Sequence, residues 1–382
     1  MPDKRLNEPR IDAEEIAAWI NRWVAIESPT EDAAAVNRIA DLVAAECAEM
    51  GLIVERTPGE DGWGDLLRAR SPGHDGRPGV LVLTHLDTVH PVGTLEGANP
   101  IRREGDRLYG PGGYDMKAGA CLALYAWRHL KRKGGDSRLP VTFMFMPEEE
   151  VGSPFSRRLI EEEGRRAKYV LVTEPARDGG KVVVARKGVG RFAITATGRP
   201  SHAGTQHQAG RSAIREIARQ VERIEAMTDY QRGVTFNVGL IAGGTGVNVV
   251  PRECRMELDM RVLTAADGEE MTALIHALEP FDPEVALKVE GGMNRPPYEM
   301  TPATEALFEI AREASREHGL DLEYTPVTGG GSDGNFTAAL GVPTLDGMGA
   351  DGAGAHTLEE HILVSSLQPR AETWVKLFER LE

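Results

Sequence analysis

Long apolar runs are missing from this chain. No stretch approaches the roughly 20 consecutive apolar residues that a membrane-spanning helix needs. The opening residues, MPDKRLNEPRIDAEE, hold no apolar segment of the kind found in a secretory leader. Cysteine is scarce. Cys47, Cys121 and Cys254 are far apart and never in C-x-x-C spacing, which argues against a disulfide framework or a cysteine zinc site and for a cytoplasmic location. Positive charge is in deficit, with Lys+Arg 44 against Asp+Glu 59 and a formal net charge of −15. A general binder of nucleic acid or of anionic membranes carries the opposite balance, so neither is expected as a partner. A small anionic substrate remains compatible, because a few arginines can dominate the field locally. Internal repeats and low-complexity segments are absent. No glycine-rich stretch ends in the Gly-Lys-Ser/Thr of a phosphate loop.

What is present is a chain of 382 residues, enough for two domains with real cores. Its 41% hydrophobic and 27% charged residues are ordinary for a globular protein. The organising stretch is Leu81 to Asp87, LVLTHLD. Val80 to Leu83 reads as a strand buried on both faces. His85 and Asp87 follow at its C-terminal end, where open α/β sheets place their sites. Similar apolar strands at 141–146 and 169–172 run into Pro147-Glu148-Glu149-Glu150 and Thr173-Glu174-Pro175. Helices are expected at 12–24, 31–50, 116–132 and 153–164, short strands at 52–55 and 66–70, and a Gly/Pro-rich loop over 90–113. Strands alternating with helices predict a mostly parallel sheet, with the acidic residues gathered at one edge.

The pattern changes near Gly188. Strand, helix, strand, strand, helix and strand follow over 189–290, the order of a ferredoxin-like split βαβ unit. The expected architecture is therefore α/β: a mostly parallel-sheet catalytic domain over 1–187 and 293–382, interrupted by an inserted ferredoxin-like α+β domain over 188–292. After the insertion, helices at 302–318, after Ser332 and at 365–381, with strands at 321–326 and 342–346, resume the first pattern.

Five residues of this chain could hold a metal: His85, Asp115, Glu150, Glu174 and His356. All are nitrogen or oxygen donors of types that bind zinc. Asp115 follows Gly112-Gly113, where a bending backbone could present one carboxylate to two cations about 3.5–4 Å apart. His356 lies in the small-residue loop Gly352-Ala-Gly-Ala-His-Thr. A run of three glutamates is normally a solvated face. Glu148-Glu149-Glu150 instead follows an apolar strand. Neighbouring side chains diverge there, so one Glu could bind metal while the next faces the water, the place of a general base.

These residues together resemble one zinc hydrolase family. His85-Leu-Asp87, Gly110-Pro-Gly-Gly-Tyr-Asp115-Met-Lys, Glu148-Glu-Glu-Val-Gly-Ser153, Glu174-Pro, Ser201-His-Ala-Gly204, Gly329-Gly-Gly-Ser-Asp333 and His356 occur in the family's order and span essentially the whole chain. The family includes glutamate carboxypeptidase, acetylornithine deacetylase, succinyl-diaminopimelate desuccinylase and aminoacylase. The sequence looks most similar to the glutamate carboxypeptidase branch.

The resemblance implies roles. Asp115 would bridge two zinc ions, for which cobalt or manganese could substitute. His85 and Glu174 would complete one site, and Glu150 and His356 the other. Asp87 would orient His85. Glu149 would be the general base, with Glu148 in place of the family's usual Asp. His202 would cross a homodimer interface, formed by the inserted lid domain, and stabilise the oxyanion in the partner's site with help from Asn248. Arg261 would hold a substrate carboxylate. Read from the residues themselves, backbone N–H groups around Gly330 and Ser332 could form an anion nest for the same carboxylate, and Arg295 could be another contact. The implied activity is hydrolysis of an amide or peptide bond beside a free α-carboxylate in a small peptide or N-acyl amino acid. Two alternatives stand beside it: an N-acyl amino acid deacylase, and a metal-dependent binding protein for peptides or acyl amino acids with no catalysis.

Overall fold

A computed structural model describes residues 10–73 and 76–382. The leader-free reading of the N-terminus rests largely on residues 1–9, which lie outside the described residues. The chain forms two compact units. The first comprises Met1–Ala185, Met300–Val327 and Ser332–Glu382, and the second comprises Arg186–Glu299 and Thr328–Gly331.

The first unit opens with helices α1 (Ala13–Val24) and α2 (Ala33–Glu49). Asp12 and Asp32 cap them, accepting from the N–H groups of Glu14 and Ala35. Then come β1 (Ile53–Thr57), β2 (Leu66–Arg70), β3 (Gly79–His85), β4 (Arg102–Glu104), β5 (Arg107–Tyr109), α3 (Ala118–Arg132), β6 (Val141–Met146), α4 (Ser156–Gly164), β7 (Ala167–Val172) and β8 (Val182–Val183). The second unit contains β9 (Gly188–Thr197), α5 (Ala213–Glu225), β10 (Thr235–Gly243), β11 (Glu253–Val262), α6 (Ala265–His276) and β12 (Ala286–Arg295). Back in the first unit are α7 (Pro302–Arg316), β13 (Tyr324–Thr325), α8 (Gly334–Ala339), β14 (Thr344–Leu345), β15 (Gly352–Ala353), β16 (His361–Leu363) and α9 (Leu367–Arg380).

The main sheet of the first unit has the order β1-β2-β6-β3-β7-β14. The four strands β6, β3, β7 and β14 are parallel, and β1 and β2 add antiparallel pairs at one side. Every residue of β3 and β6 is buried, because helices cover both faces. Val80, Val82, Phe143 and Phe145 pack into a core with residues of α1, α3 and α9. Their neighbours Leu81, Leu83, Met144 and Met146 pack on the other face with Leu159, Ile160 and Phe336. This is why the strands read as unbroken apolar runs rather than alternations. Each such side chain contributes roughly 1.5–3 kcal/mol on burial.

The second unit is a four-stranded antiparallel sheet of order β10-β11-β9-β12. Strand β11 alternates exposed and buried residues along most of its length. Its buried face, with Cys254, Met256, Leu258 and Met260, packs against Ile217 and Ile224 of α5 and Met271 and Ile275 of α6. The βαββαβ order and this strand arrangement are those of a ferredoxin-like fold. All three cysteines are free and buried.

The 90–113 segment is not simply a loop. It contains the β4–β5 hairpin, which joins β15 and β16 in a four-stranded antiparallel sheet of order β15-β16-β5-β4. Strands of two or three residues leave little periodicity to read. The 321–326 strand is likewise short: Tyr324–Thr325 pairs with Val182–Val183 in a separate two-stranded sheet.

Candidate metal centre

Register brings the first donors together. Strand β3 lies between β6 and β7 with both pairings parallel, so His85 sits beside Met146 and Leu83 beside Val172. The chain therefore leaves all three strands at one edge of the sheet, carrying His85, Glu149 and Glu150, and Glu174. The small sheet supplies the rest. Strand β16 pairs with β5, setting His361 opposite Tyr109. That pairing lays the β15–β16 connection, with His356, along the turn at Gly113–Lys117 that presents Asp115. His356 adopts φ 63°, a left-handed conformation in a non-glycine residue, which costs about 1–2 kcal/mol.

Asp115 divides its oxygens between two histidines. Oδ1 is 3.3 Å from His85 Nε2, and Oδ2 is 3.5 Å from His356 Nε2. Glu174 Oε1 lies 3.7 Å from His85 Nε2, and Glu150 Oε2 lies 3.1 Å from His356 Nε2. Two donor triplets, His85 with Glu149 and Glu174, and His85 with Asp115 and Glu150, each converge within 4.8 Å. Glu150 Oε1 is buried without a hydrogen-bond partner. A buried carboxylate oxygen with nothing to accept, facing nitrogen and oxygen donors, is what a hard or borderline cation satisfies. The donor set fits a metal.

The electrostatics agree. Burial opposes charging of His85, but hydrogen bonds to Asp115 and Asp87 outweigh it and hold the imidazolium well above its ordinary range. Asp115 is likewise resisted by burial, yet His356 and His85 keep its carboxyl far below the usual carboxylate range. Asp115 and Glu150 raise His356 to about 10. Burial, with the nearby Asp115 charge, pushes Glu150 up to about 7, against the opposing hydrogen bond from His356. Without a cation the cluster balances its carboxylates with protons on these groups.

The glutamate run separates physically. Glu148 is fully buried and turned away: its carboxylate accepts from the N–H groups of Phe155 at 3.0 Å and Ser156 at 2.6 Å, and from the Ser156 hydroxyl at 2.7 Å. It caps the start of α4, and Glu149 and Glu150 are left to face the cluster. Asp87 does more than contact His85. Its nearest link to the ring Nδ1 is through its own backbone carbonyl at 2.9 Å, with the carboxylate at 3.3 Å. The carboxylate also accepts the N–H groups of Glu149 and Glu150.

The remaining expected residues are divided between the units. In the second, His202 is exposed, and its Nδ1 accepts the N–H groups of Gly204 and Thr205 at 3.1 Å. A neutral ring held this way carries its proton on Nε2. Asn248 is adjacent, its carbonyl accepting from Ala203 at 2.9 Å. Arg261 is engaged by Asp259 through two bonds, 2.7 and 2.9 Å, and donates to the Gly329 carbonyl at 3.0 Å. Arg295 is buried at the end of β12 and bonds Asn294 at 3.0 Å. The Gly330 carbonyl accepts from Arg186 at 3.1 Å. Ser332 belongs to the first unit and is fully buried. Its N–H donates to the Asn335 side chain at 2.9 Å and its hydroxyl to Asp346, so in this geometry it has no backbone donor to offer an anion. Two residues around the centre carry no sequence signal of their own. Thr30 donates to Asp87 at 2.8 Å, and Glu360 receives the N–H of Asp115 at 2.9 Å.

An α/β sheet edge lined with convergent nitrogen and oxygen donors defines a candidate metal-dependent enzyme. The chain belongs to Peptidase family M20/M25/M40, whose model matches residues 81–380, and it is a hydrolase acting on amide bonds. It is 31% identical over 358 residues to carboxypeptidase G2 of Pseudomonas sp. (strain RS-16), covering 92% of this chain and 85% of that protein. It is 29% identical over 331 residues to a succinyl-diaminopimelate desuccinylase of Burkholderia cenocepacia (strain HI2424), covering 81% and 85%. Among solved structures, a tripeptidase from Staphylococcus aureus matches with TM-score 0.75 and 21% identity, over 97% of this chain and 99% of that one. An M20 family metallo-carboxypeptidase from Sulfolobus solfataricus matches with TM-score 0.75 and 16% identity, over 96% and 99%. These structural likenesses bear on the fold. No helix among the described residues is long and apolar enough to cross a membrane.

Proposed function

We propose that the chain is a dinuclear zinc hydrolase that cleaves an amide or peptide bond beside a free α-carboxylate. The observation that carries this reading is Asp115, with one oxygen toward His85 and the other toward His356. His85, Asp115 and Glu174 would hold one cation, and Asp115, Glu150 and His356 the other, with cobalt or manganese as possible substitutes. Bound there, the cations would polarise the scissile carbonyl and lower the pKa of water.

The chain's own residues supply the rest. Glu149 takes the proton of the attacking water and returns it to the leaving amine. Asp87 holds the backbone of Glu149 and the ring of His85. His202, with its proton on Nε2, donates to the developing oxyanion, and Asn248 lies next to it. Arg261 pairs with the substrate carboxylate, and Arg295 and the Gly330 region serve as further contacts.

The second unit acts in this reading as lid and dimerisation domain. Strand β10 supports it: an outer strand of its sheet, it exposes Leu240 and Ile241, and Val247 follows in the next loop. The free, buried cysteines suit a cytoplasmic enzyme.

The test is amino-acid release from a panel of dipeptides and N-acyl amino acids by zinc-loaded protein, with a chelated control. Chelator-sensitive release governed by a C-terminal Glu or Asp is the expected result. Selection by the acyl group would make it a deacylase. No release with two metals bound would overturn the proposed substrate class, pointing to a substrate outside it or to ligand binding alone.

A further inference from the structure

Glu360 lies four positions after His356 and is 1% exposed. A carboxylate so buried needs its charge met by donors, and four donors converge on it. Oε1 accepts the backbone N–H groups of Tyr114 and Asp115, both at 2.9 Å. Oε2 accepts the N–H of Gly112 at 2.8 Å and lies 2.8 Å from Nε2 of His90. His90 is also buried, at 6% exposure.

These partners are not arbitrary neighbours. Gly112, Tyr114 and Asp115 form the turn that presents the bridging carboxylate. Asp115 stands at φ −114°, ψ 94°, so its N–H is not aimed along a helix and Glu360 accepts it instead. His90 follows His85 in the same segment, and Glu360 itself follows His356 within the β15–β16 connection. One carboxylate thus ties together the segments that carry His85, Asp115 and His356.

We propose that Glu360, with His90 as its second anchor, is a positioning residue for the metal centre. It touches neither cation nor substrate. It sets where Asp115 stands between the two histidines by holding the peptide groups on either side of Tyr114. This rests on the dinuclear reading above. Charge and shape both matter to the role. A glutamine amide offers one acceptor oxygen, so its NH2 would face either the two N–H groups of Tyr114 and Asp115 or the N–H of Gly112 beside His90 Nε2.

The experiment titrates zinc alone into metal-free protein by calorimetry and records the visible spectrum of the cobalt-loaded form. It compares wild type, Glu360→Gln, His90→Phe and His90→Gln. In Glu360→Gln the zinc affinity should fall roughly 10–100-fold, the usual cost of losing an outer partner of a metal ligand. The cobalt bands should shift as the ligands are rearranged. His90→Phe keeps the bulk but removes one donor, and should give a smaller loss in the same direction. His90→Gln restores an N–H donor and should recover most of it. A purely structural role would lower the melting temperature of the metal-free protein and leave affinity and spectrum unchanged in the folded fraction, and that result would overturn the proposal. If Glu360→Gln does not fold, the His90 pair decides by the same criterion. If wild type binds no divalent cation, the dinuclear reading itself fails. If wild type binds and the variants match it, only the role of Glu360 fails.

Discussion

Asp87 is joined to Glu149 through the backbone: its Oδ1 accepts the Glu149 N–H at 3.1 Å. Its other oxygen accepts the Glu150 N–H at 3.2 Å and the Thr30 hydroxyl at 2.8 Å. The residue that steadies the first histidine thus also fixes the short turn bearing the assigned base and one assigned ligand.

Asp87→Asn removes one of these acceptors whichever way the amide turns. The expected result is a fall of roughly 10–100-fold in activity, with weaker zinc binding. Kinetics and zinc titration on the same preparation check it. Unchanged values would mean that neither the ring nor the turn depends on the carboxylate.

The glutamate run gives a contrast between neighbours. Glu149→Gln should lose about 10²–10⁴ in rate with both metals bound. Glu148→Gln should retain activity, because its one oxygen can still accept from Phe155 and Ser156 while its NH2 meets the Ser156 hydroxyl. Glu148→Ala strands buried donors and should cost about 1–3 kcal/mol of stability. Rates and denaturation curves for the three variants separate the roles, and a folded but inactive Glu148→Gln would move the base to that position.

Zinc uptake should release protons. His356, raised to about 10, and Glu150, raised to about 7, both hold protons near neutral pH in the metal-free protein. A cation must displace them, so affinity should climb as pH rises from about 7 toward 10. The same shifts act on folding. Groups whose folded values are raised stabilise the metal-free protein fully below their ordinary values, 6.5 and 4.5, and lose that contribution as pH passes about 10 and about 7 respectively. Calorimetry in buffers of different ionisation enthalpy reads the protons directly. Identical apparent enthalpies would mean that none are released.

Gly119 sits in α3 with its Cα against the main chain: a Cβ there would lie 1.9 Å from the Thr173 carbonyl, immediately before Glu174. Alanine favours a helix interior by up to about 1 kcal/mol, yet Gly119→Ala should lower the melting temperature and weaken zinc binding, because backbone must move. A more stable variant with intact binding would contradict the contact.

If His202 serves a partner subunit, inactive His202→Ala and inactive Glu149→Ala should regain part of the activity when mixed and allowed to exchange subunits. Proven exchange without recovery would confine the site to one chain.

Much of this architecture is legible in the sequence. The apolar runs at 80–83 and 141–146 are readable because helices bury both faces of those strands. The donors His85, Glu149, Glu150 and Glu174 are readable because parallel strands deliver whatever follows them to one edge. Glu360 is not, since its partners are backbone N–H groups on a turn far away in the chain, and no spacing encodes them. Glu148 looks like its two neighbours until the start of α4 claims it. Arg261 and Asp259 stand two apart on β11, so their pairing is readable from the period of two, whereas the contact with Gly329 depends on Thr328–Gly331 belonging with the second unit.

The second unit lies in the sequence between Glu174 and His356, so the first four donors are synthesised long before the fifth. A nascent chain emerging from the ribosome has His85, Asp115, Glu150 and Glu174 but neither His356 nor the clamp at Glu360. On the dinuclear reading, the complete ligand set therefore exists only after the intervening unit has been made and the later strands have docked. On that same reading, metal insertion in the cell becomes a late event of biogenesis, downstream of translation of the intervening unit and of the β15–β16 connection.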